Sequence, residues 1–330
     1  VPRPRTTEST PSTPGGDAAP LRPGIDLTVA QLVLQRHRGM HAGLLPRQRS
    51  RAGRAGGYQS RFRGRGLEFD EVRAYQLGDD VRSIDWRVTA RTGETHTKLF
   101  RDERERPVLL VVDYRHSMRF GTRQALKSYR AAEVAALLAW LAADSGDRVG
   151  GLVFTDEAFR ELRPRGGRAG VLPLLKALAD LHPGLPTGPP PPGRDRLAQV
   201  LQPLHRMSQP GSLIFLISDF AHWDTGADHW FRRLAGHREL VGCFIYDPFE
   251  RALPAVDRLP VSDGERMARV NGRDPANQAA HRARFAAHAE ALRDRFVGQR
   301  QYLLRLSTEH SVVESVQRLL SIRAGRGGTR

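Results

Sequence analysis

Apolar and polar positions alternate along this chain between two textures. Residues 108–112 are five uninterrupted apolar, mostly β-branched residues, the pattern of a strand buried on both faces. Residues 212–218 and 239–246 repeat it, and 301–306 is a further strand. Between these runs the apolar spacing lengthens to a helical period. Residues 124–143 place Leu126, Tyr129, Ala132, Ala136, Leu137 and Trp140 on a broad apolar face suited to packing on a sheet. Helices are also predicted over 170–181, 195–207, 223–235, 276–296 and 312–322. Residues 149–154 and 158–162 read as a strand pair across Thr155-Asp156-Glu157, and 256–270 as short strands around the Asp263-Gly264 turn. Strands alternating with helices predict a doubly wound, mostly parallel α/β sheet of the three-layer, Rossmann-like kind.

Ahead of this body the pattern changes. Residues 1–24 are rich in Pro, Ser, Thr and Gly and read as a disordered tail. A short helix over 27–36, with Asp26 or Thr28 as its cap, opens a segment (25–63) that continues as an Arg/Gly-rich arm. The block 64–106 is β-rich, packing charges among spaced apolar residues. In it, Ile84, Trp86 and Val88 alternate with Asp85 and Arg87 as in a half-buried strand. The α/β body takes 107–322, with an insertion near 248–275, and 323–330 reads as a disordered end.

Composition narrows the function classes. The 330 residues include one cysteine, Cys243, so an intrachain disulfide and a cysteine-based zinc cluster are excluded. No window approaches the ~18 consecutive apolar residues of a membrane span, and the first residues lack the apolar core of a secretory signal. The expected location is the cytoplasm. The formal charge of +16 is concentrated: residues 1–66 hold twelve arginines and three acids, which is +9 of it. This basic arm, from Arg47 to Arg65 above all, makes polyanion binding (nucleic acid or anionic membrane) the alternative function to be weighed. Walker A, His-Glu-x-x-His, Gly-x-Ser-x-Gly and Gly-x-Gly-x-x-Gly motifs are absent. Asp113, His116 and Ser117 include the residue types of a hydrolase triad, but side chains adjacent in sequence point apart, so catalysis is not expected.

The candidate chemistry gathers at two strand ends. The strand at 108–112 delivers Asp113 and Ser117 to its carboxyl-end loop, where open α/β sheets put their sites, and the strand at 212–218 ends on Asp219. The run Asp113-x-Arg115-x-Ser117 resembles the first motif, Asp-x-Ser-x-Ser, of the metal-ion-dependent adhesion site in von Willebrand A-type domains. That resemblance implies a magnesium ion held by oxygens from three loops, with Asp113, Ser117 and Asp219 as ligands here. The middle serine is Arg115, which cannot ligate; its guanidinium would oppose the ion or take its place beside Asp113 or Asp219. The threonine arm is missing from Pro164 to Ala169, leaving Thr122 and Thr155 as substitutes. The expected site is degenerate and metal-poor, and replacing Arg115 by serine is expected to create or strengthen magnesium binding.

A longer signature precedes this loop: Gly64-x-Gly66-x-Glu68-Phe69, Arg73-x-Tyr75-x-x-Gly78-Asp79-Asp80-x-Arg82-x-Ile84-Asp85-Trp86, Thr89-Ala90-Arg91, Lys98 and Glu103. With the Asp113 loop it closely resembles the bacterial "domain of unknown function fifty-eight" family, which contains a von Willebrand A-like domain. Within the block, Asp79, Asp80 and Asp85 can pair with Arg73, Arg82, Arg87 and Arg91 as a polar clamp around an embedded Trp86, or the same surface can recognise a partner. The resemblance implies a non-catalytic adaptor acting with a MoxR-type AAA+ ATPase in the assembly of other complexes. Met118, Phe120, Phe220 and Trp223 are the candidate anchors for a partner.

Overall fold

The computed structural model describes residues 20–44, 68–76, 81, 84–101, 106–185, 196–262 and 267–326. Its centre is β3 (Pro107–Asp113), whose five apolar residues are buried because both of its faces are covered. Val108, Leu110 and Val112 face one core, shared with α1 (Val29–His41), α3 (Lys127–Asp144), α4 (Gly167–Asp180) and α9 (Val312–Arg326). Leu109 and Val111 face the other, shared with α5 (Arg196–Met207), α6 (Thr225–Ala235) and α8 (Pro275–Gly298). Period-two alternation therefore gives an unbroken apolar run when each face meets a helical layer.

β3 pairs in parallel with β4 (Arg148–Phe154) on one side and β6 (Leu213–Ser218) on the other. β5 (Phe159–Gly166) closes one edge antiparallel to β4, while β7 (Glu239–Tyr246) and β10 (Tyr302–Ser307) continue parallel beyond β6. The order β10-β7-β6-β3-β4-β5 reverses direction between β3 and β6. This is the switch point of a doubly wound sheet, and a crevice opens there at the carboxyl ends of the strands. Close pairing of β4 depends on Gly151, where a Cβ would lie 2.1 Å from the Leu110 carbonyl oxygen.

Several expectations are corrected. Residues 86–88 do not continue a strand. Asp85 caps a helix, α2 (Trp86–Thr92), its carboxylate accepting from Arg87 N (3.0 Å) and Val88 N (3.2 Å). An N-cap carboxylate satisfies two orphan donors at once and overrides a five-residue alternation. Only Ile84 keeps a strand-like bridge, to Thr97. Trp86, expected to be embedded, is 69% exposed. The first helix runs past Gly39 to His41, capped by the reciprocal Thr28–Gln31 box. It joins the main body: Leu32 is buried, and Gln35 Nε2 donates to the buried Glu133 carboxylate of α3 at 2.9 Å. Residues 20–24, assigned by composition to the tail, end in a turn where the Gly24 carbonyl accepts from Leu126 N (2.9 Å). At the other end α9 extends to Arg326.

β1 (Glu68–Ala74) and β2 (His96–Arg101) form a separate antiparallel pair containing Glu68, Phe69, Arg73 and Lys98 of the signature. Tyr75 N donates to the Thr95 carbonyl just beyond it, and Arg91 lies in the last turn of α2. Gly64, Gly66, Gly78, Asp79, Asp80, Arg82 and Glu103 lie outside the described residues, as do the arm from Arg47 to Arg65 and the Asp263-Gly264 turn between β8 (Leu259–Ser262) and β9 (Met267–Val270). A four-residue helix, α7 (Pro248–Arg251), follows β7. Among the described residues no helix is long and apolar enough to cross a membrane.

Candidate functional site

The end of β3 turns at once into a short 3-10 helix, His116–Arg119, and the end of β6 into the loop 219–224 ahead of α6. Asp113 and Asp219 thus sit on neighbouring strands at the switch point, both buried. Each is met by a cation of the chain. Arg115 folds back on Asp113: its Nη2 lies 2.7 Å from Oδ2, its Nε 3.1 Å from both oxygens, and its backbone N 2.9 Å from Oδ1. Ser218 Oγ donates to the same carboxylate at 2.6 Å and accepts from Phe220 N at 2.7 Å. A bidentate guanidinium, a backbone N–H and a hydroxyl occupy the lone pairs that a cation would need.

Asp219 is neutralised from a different direction. Lys127, the first residue of α3, places its Nζ 2.8 Å from Asp219 Oδ2 and 2.6 Å from Glu250 Oε1, and Ala221 N donates to Asp219 Oδ1 at 3.0 Å. A cation at a helix N-terminus opposes the macrodipole, so the two carboxylates must outweigh that cost. Burial works against charge on Asp219, but the Lys127 ammonium, followed by Arg115, holds its carboxyl below the usual range. Burial likewise works against charge on Lys127, yet Asp219 and Glu250 raise it. For Arg115, burial is offset by Asp113 first, and the guanidinium ends up raised.

Glu250 reaches the site through the Asp247-Pro248-Phe249-Glu250 turn, whose ends cap each other: Glu250 accepts from Asp247 N (2.8 Å) and Asp247 from Phe249 N (3.0 Å). Asp247 is fully buried and also accepts from Thr122 N, Thr122 Oγ1 and Thr308 Oγ1. Thr122 is therefore turned towards Asp247, and Thr155 bonds within its own turn to Glu157 and Ala158. Neither threonine supplies the missing arm beside Asp113. Ser117 is half-buried at the edge of a cavity above the strand ends, and among the described residues its hydroxyl bonds neither Asp113 nor Asp219. The donor set does not fit a divalent ion as it stands. Two positive charges already occupy the acids, and among the described residues the Ser117 hydroxyl bonds neither.

Sequence reasoning missed Lys127, Ser218 and the role of Glu250. The signal for Lys127 was present: it is one of three lysines in a chain with 52 Lys and Arg, at the start of a helix that is otherwise buried and apolar. The candidate anchors are also corrected. Met118 and Phe220 are fully buried, Trp223 is half-buried against Phe220 and Phe231, and Phe120 alone of the four is exposed, at 37%. Phe220 is buried with a left-handed backbone (φ 52°), a conformation that costs a bulky residue energy and that the exposed His222 (φ 56°) repeats two residues on. Cys243 is buried in the core and its thiol is pushed up to about 12 by burial, which leaves it inert.

A sheet of this order, with buried acids ending two adjacent parallel strands at the switch point, defines an open, doubly wound α/β domain with its candidate site at the carboxyl ends of the strands. Residues 71–295 match the profile of the family described as Protein of unknown function DUF58, and the chain belongs to that family. It is 31% identical over 310 residues to uncharacterized protein Rv1480 of Mycobacterium tuberculosis and to uncharacterized protein Mb1516 of Mycobacterium bovis, covering 93% of this chain and 89% of each relative. Among solved structures it is similar to the conserved hypothetical protein BatB from Bacteroides thetaiotaomicron, with a TM-score of 0.40 and 14% identity over 67% of this chain and 99% of that one. It is also similar to the von Willebrand factor type A protein from Catenulispora acidiphila, with a TM-score of 0.36 and 13% identity over 81% and 51%. The doubly wound class rests on the strand order itself.

Proposed function

We propose that this chain is a non-catalytic protein-interaction module of the cytoplasm, that its partner docks on the carboxyl-end edge of the sheet, and that the partner is a MoxR-type AAA+ ATPase. The observation that carries the docking site is the pairing of Asp113 with Arg115 and of Asp219 with Lys127. It supports a sheet top whose charge is balanced by the chain itself, with no magnesium ion needed to shape it. Phe120 stands exposed beside this pair, with the Lys127 ammonium 5.9 Å from its ring centroid. An exposed aromatic beside a rigid, charge-balanced floor suits an interface anchor. The nature of the partner rests on the family resemblance alone.

The test is capture of a MoxR-type AAA+ ATPase from the same host by the intact chain and by Phe120→Asp. Loss of a central aromatic anchor costs at least about 2 kcal/mol, so capture is expected to weaken at least about 20-fold. Equal capture by both proteins, or none by either, would remove this reading. For the non-catalytic part, the support is that Ser117 has no base within hydrogen-bond reach among the described residues, while the backbone N of His116 is engaged by Asp156 at 2.7 Å. The purified chain is expected to turn over no generic ester or phosphate. Turnover abolished by Ser117→Ala would show the opposite. The polyanion alternative gains no support from the comparisons, and its arm lies outside the described residues.

A further inference from the structure

Above the strand ends lies a cavity of about 810 Å³, within the size range of pockets that enclose small organic ligands. It opens between the segment 116–120, the loop after β6, α7 and one face of α8. Phe120, Phe244, Phe249 and Phe285 form its apolar walls; Phe120 and Phe249 pack at 5.7 Å and Phe244 stacks on Phe285 at 5.9 Å. Among the described lining residues the charged groups lean positive: the two acids, Asp219 and Glu250, are both held by Lys127. The other lining cations, Arg119 and Arg284, pair with no carboxylate among the described residues. Arg119 gives its Nη2 to the Pro183 and Leu185 carbonyls and buries its Nε without an acceptor. Arg284 lies exposed on α8 at the cavity edge. A wall guanidinium that bonds only carbonyls keeps its positive charge uncompensated, and an acid group in the cavity would compensate it.

The surrounding frame is fixed and locally strained, as ligand clamps are. His281 and His288 use their Nε2 atoms on the Phe249 and Asp219 carbonyls, tying α8 to both sides of the opening. The loop that forms the rim contains the left-handed Phe220 and His222.

We propose that this cavity binds an amphipathic organic anion, its apolar body against the phenylalanine walls and its carboxylate or comparable acid group at Arg119 and Arg284. This goes beyond the docking reading, because it requires no partner protein and is read on the isolated chain.

The experiment is a fluorescence titration of the intact chain with 8-anilino-1-naphthalenesulfonate, followed by displacement with decanoate or with 1-decanol, each kept below its aggregation limit. The dye is expected to saturate one site per chain and to be displaced by decanoate at least about tenfold more effectively than by the uncharged alcohol, the ratio a charged hydrogen bond supplies. Arg284→Glu and Arg119→Gln are each expected to weaken decanoate about tenfold. Ser262→Trp, at an exposed lining position, is expected to block both probes while the thermal midpoint stays unchanged. Unsaturable dye binding, equal displacement by acid and alcohol, or indifference to all three substitutions would overturn the proposal. Failure here leaves ATPase capture unaffected, and failure of that capture leaves these titrations unaffected.

Discussion

Replacing Lys127 by methionine is expected to lower the free energy of unfolding by about 3–5 kcal/mol, the cost of removing one partner of a buried ion pair. Methionine keeps the length and apolar stem of the side chain, so the change falls on the charge. Asp219, 5% exposed, would keep one backbone N–H and lose its ammonium, and Glu250 would lose its partner. Urea unfolding checks this. The double variant Lys127→Met with Asp219→Asn is expected to recover a large part of the loss, since the deeply buried uncompensated charge is then gone and the Glu250 carboxylate that remains is partly open to water.

The pH dependence has a defined sign. Asp219 is depressed in the folded chain, so its contribution to stability is present above the unfolded carboxylate pKa of about 3.9 and is lost as pH falls through the lower folded value. Lys127 is raised, so its contribution is present below about 10.4 and is lost only as pH climbs through the raised value. The gap between wild type and Lys127→Met is therefore widest between about pH 5 and pH 10 and narrows on acidification. A gap of constant size down to pH 3 would mean that packing, not charge, sets the effect.

Arg115→Ser is expected to cost about 3–5 kcal/mol for the same reason, because Asp113 is fully buried and would retain only Ser218 and one backbone N–H. Its second readout is magnesium. The sequence motif suggests that this serine restores the ion site, but Lys127 still holds Asp219 at 2.8 Å. An ammonium there repels a divalent ion and occupies the lone pair it needs. Calorimetry is expected to show no magnesium binding for Arg115→Ser alone and measurable binding for Arg115→Ser combined with Lys127→Ser. Strong binding by the single variant would show that Arg115 is the only cation standing in for the ion. No binding by the double variant would sink the idea that chain cations replace it.

These expectations show how unevenly the site was written into the sequence. Asp113 and Asp219 were visible because each follows an unbroken apolar run, and Arg115 because it interrupts a short motif in which position and chemistry are coupled. Lys127 and Glu250 were not, since they are 92 and 123 residues from the groups they meet. Local spacing carries no information about such a meeting. The helix at 86–92 was misread for a related reason. Alternation over five residues fits a strand or a capped helical turn, and the carboxylate of Asp85 settles it in favour of the helix.

What the sequence determined by itself is the doubly wound body and the place of the site. Runs of buried β-branched residues and helical apolar faces each allow one kind of layer, and the polar residues that end the runs must lie at its edge. What the tertiary structure alone decided is the chemical state of that edge. Packing the start of α3 against the end of β6 brings Lys127 onto Asp219, and burial of the whole strand end makes Arg115, two residues from Asp113, the cation that keeps that acid tenable. The left-handed turn after β6 carries the buried Phe220, and the return of the chain through α7 and α8 encloses a basic-edged, aromatic-walled cavity over the strand ends. Local propensity acts over a few residues, whereas charge compensation and cavity shape depend on segments the chain joins only when it is folded.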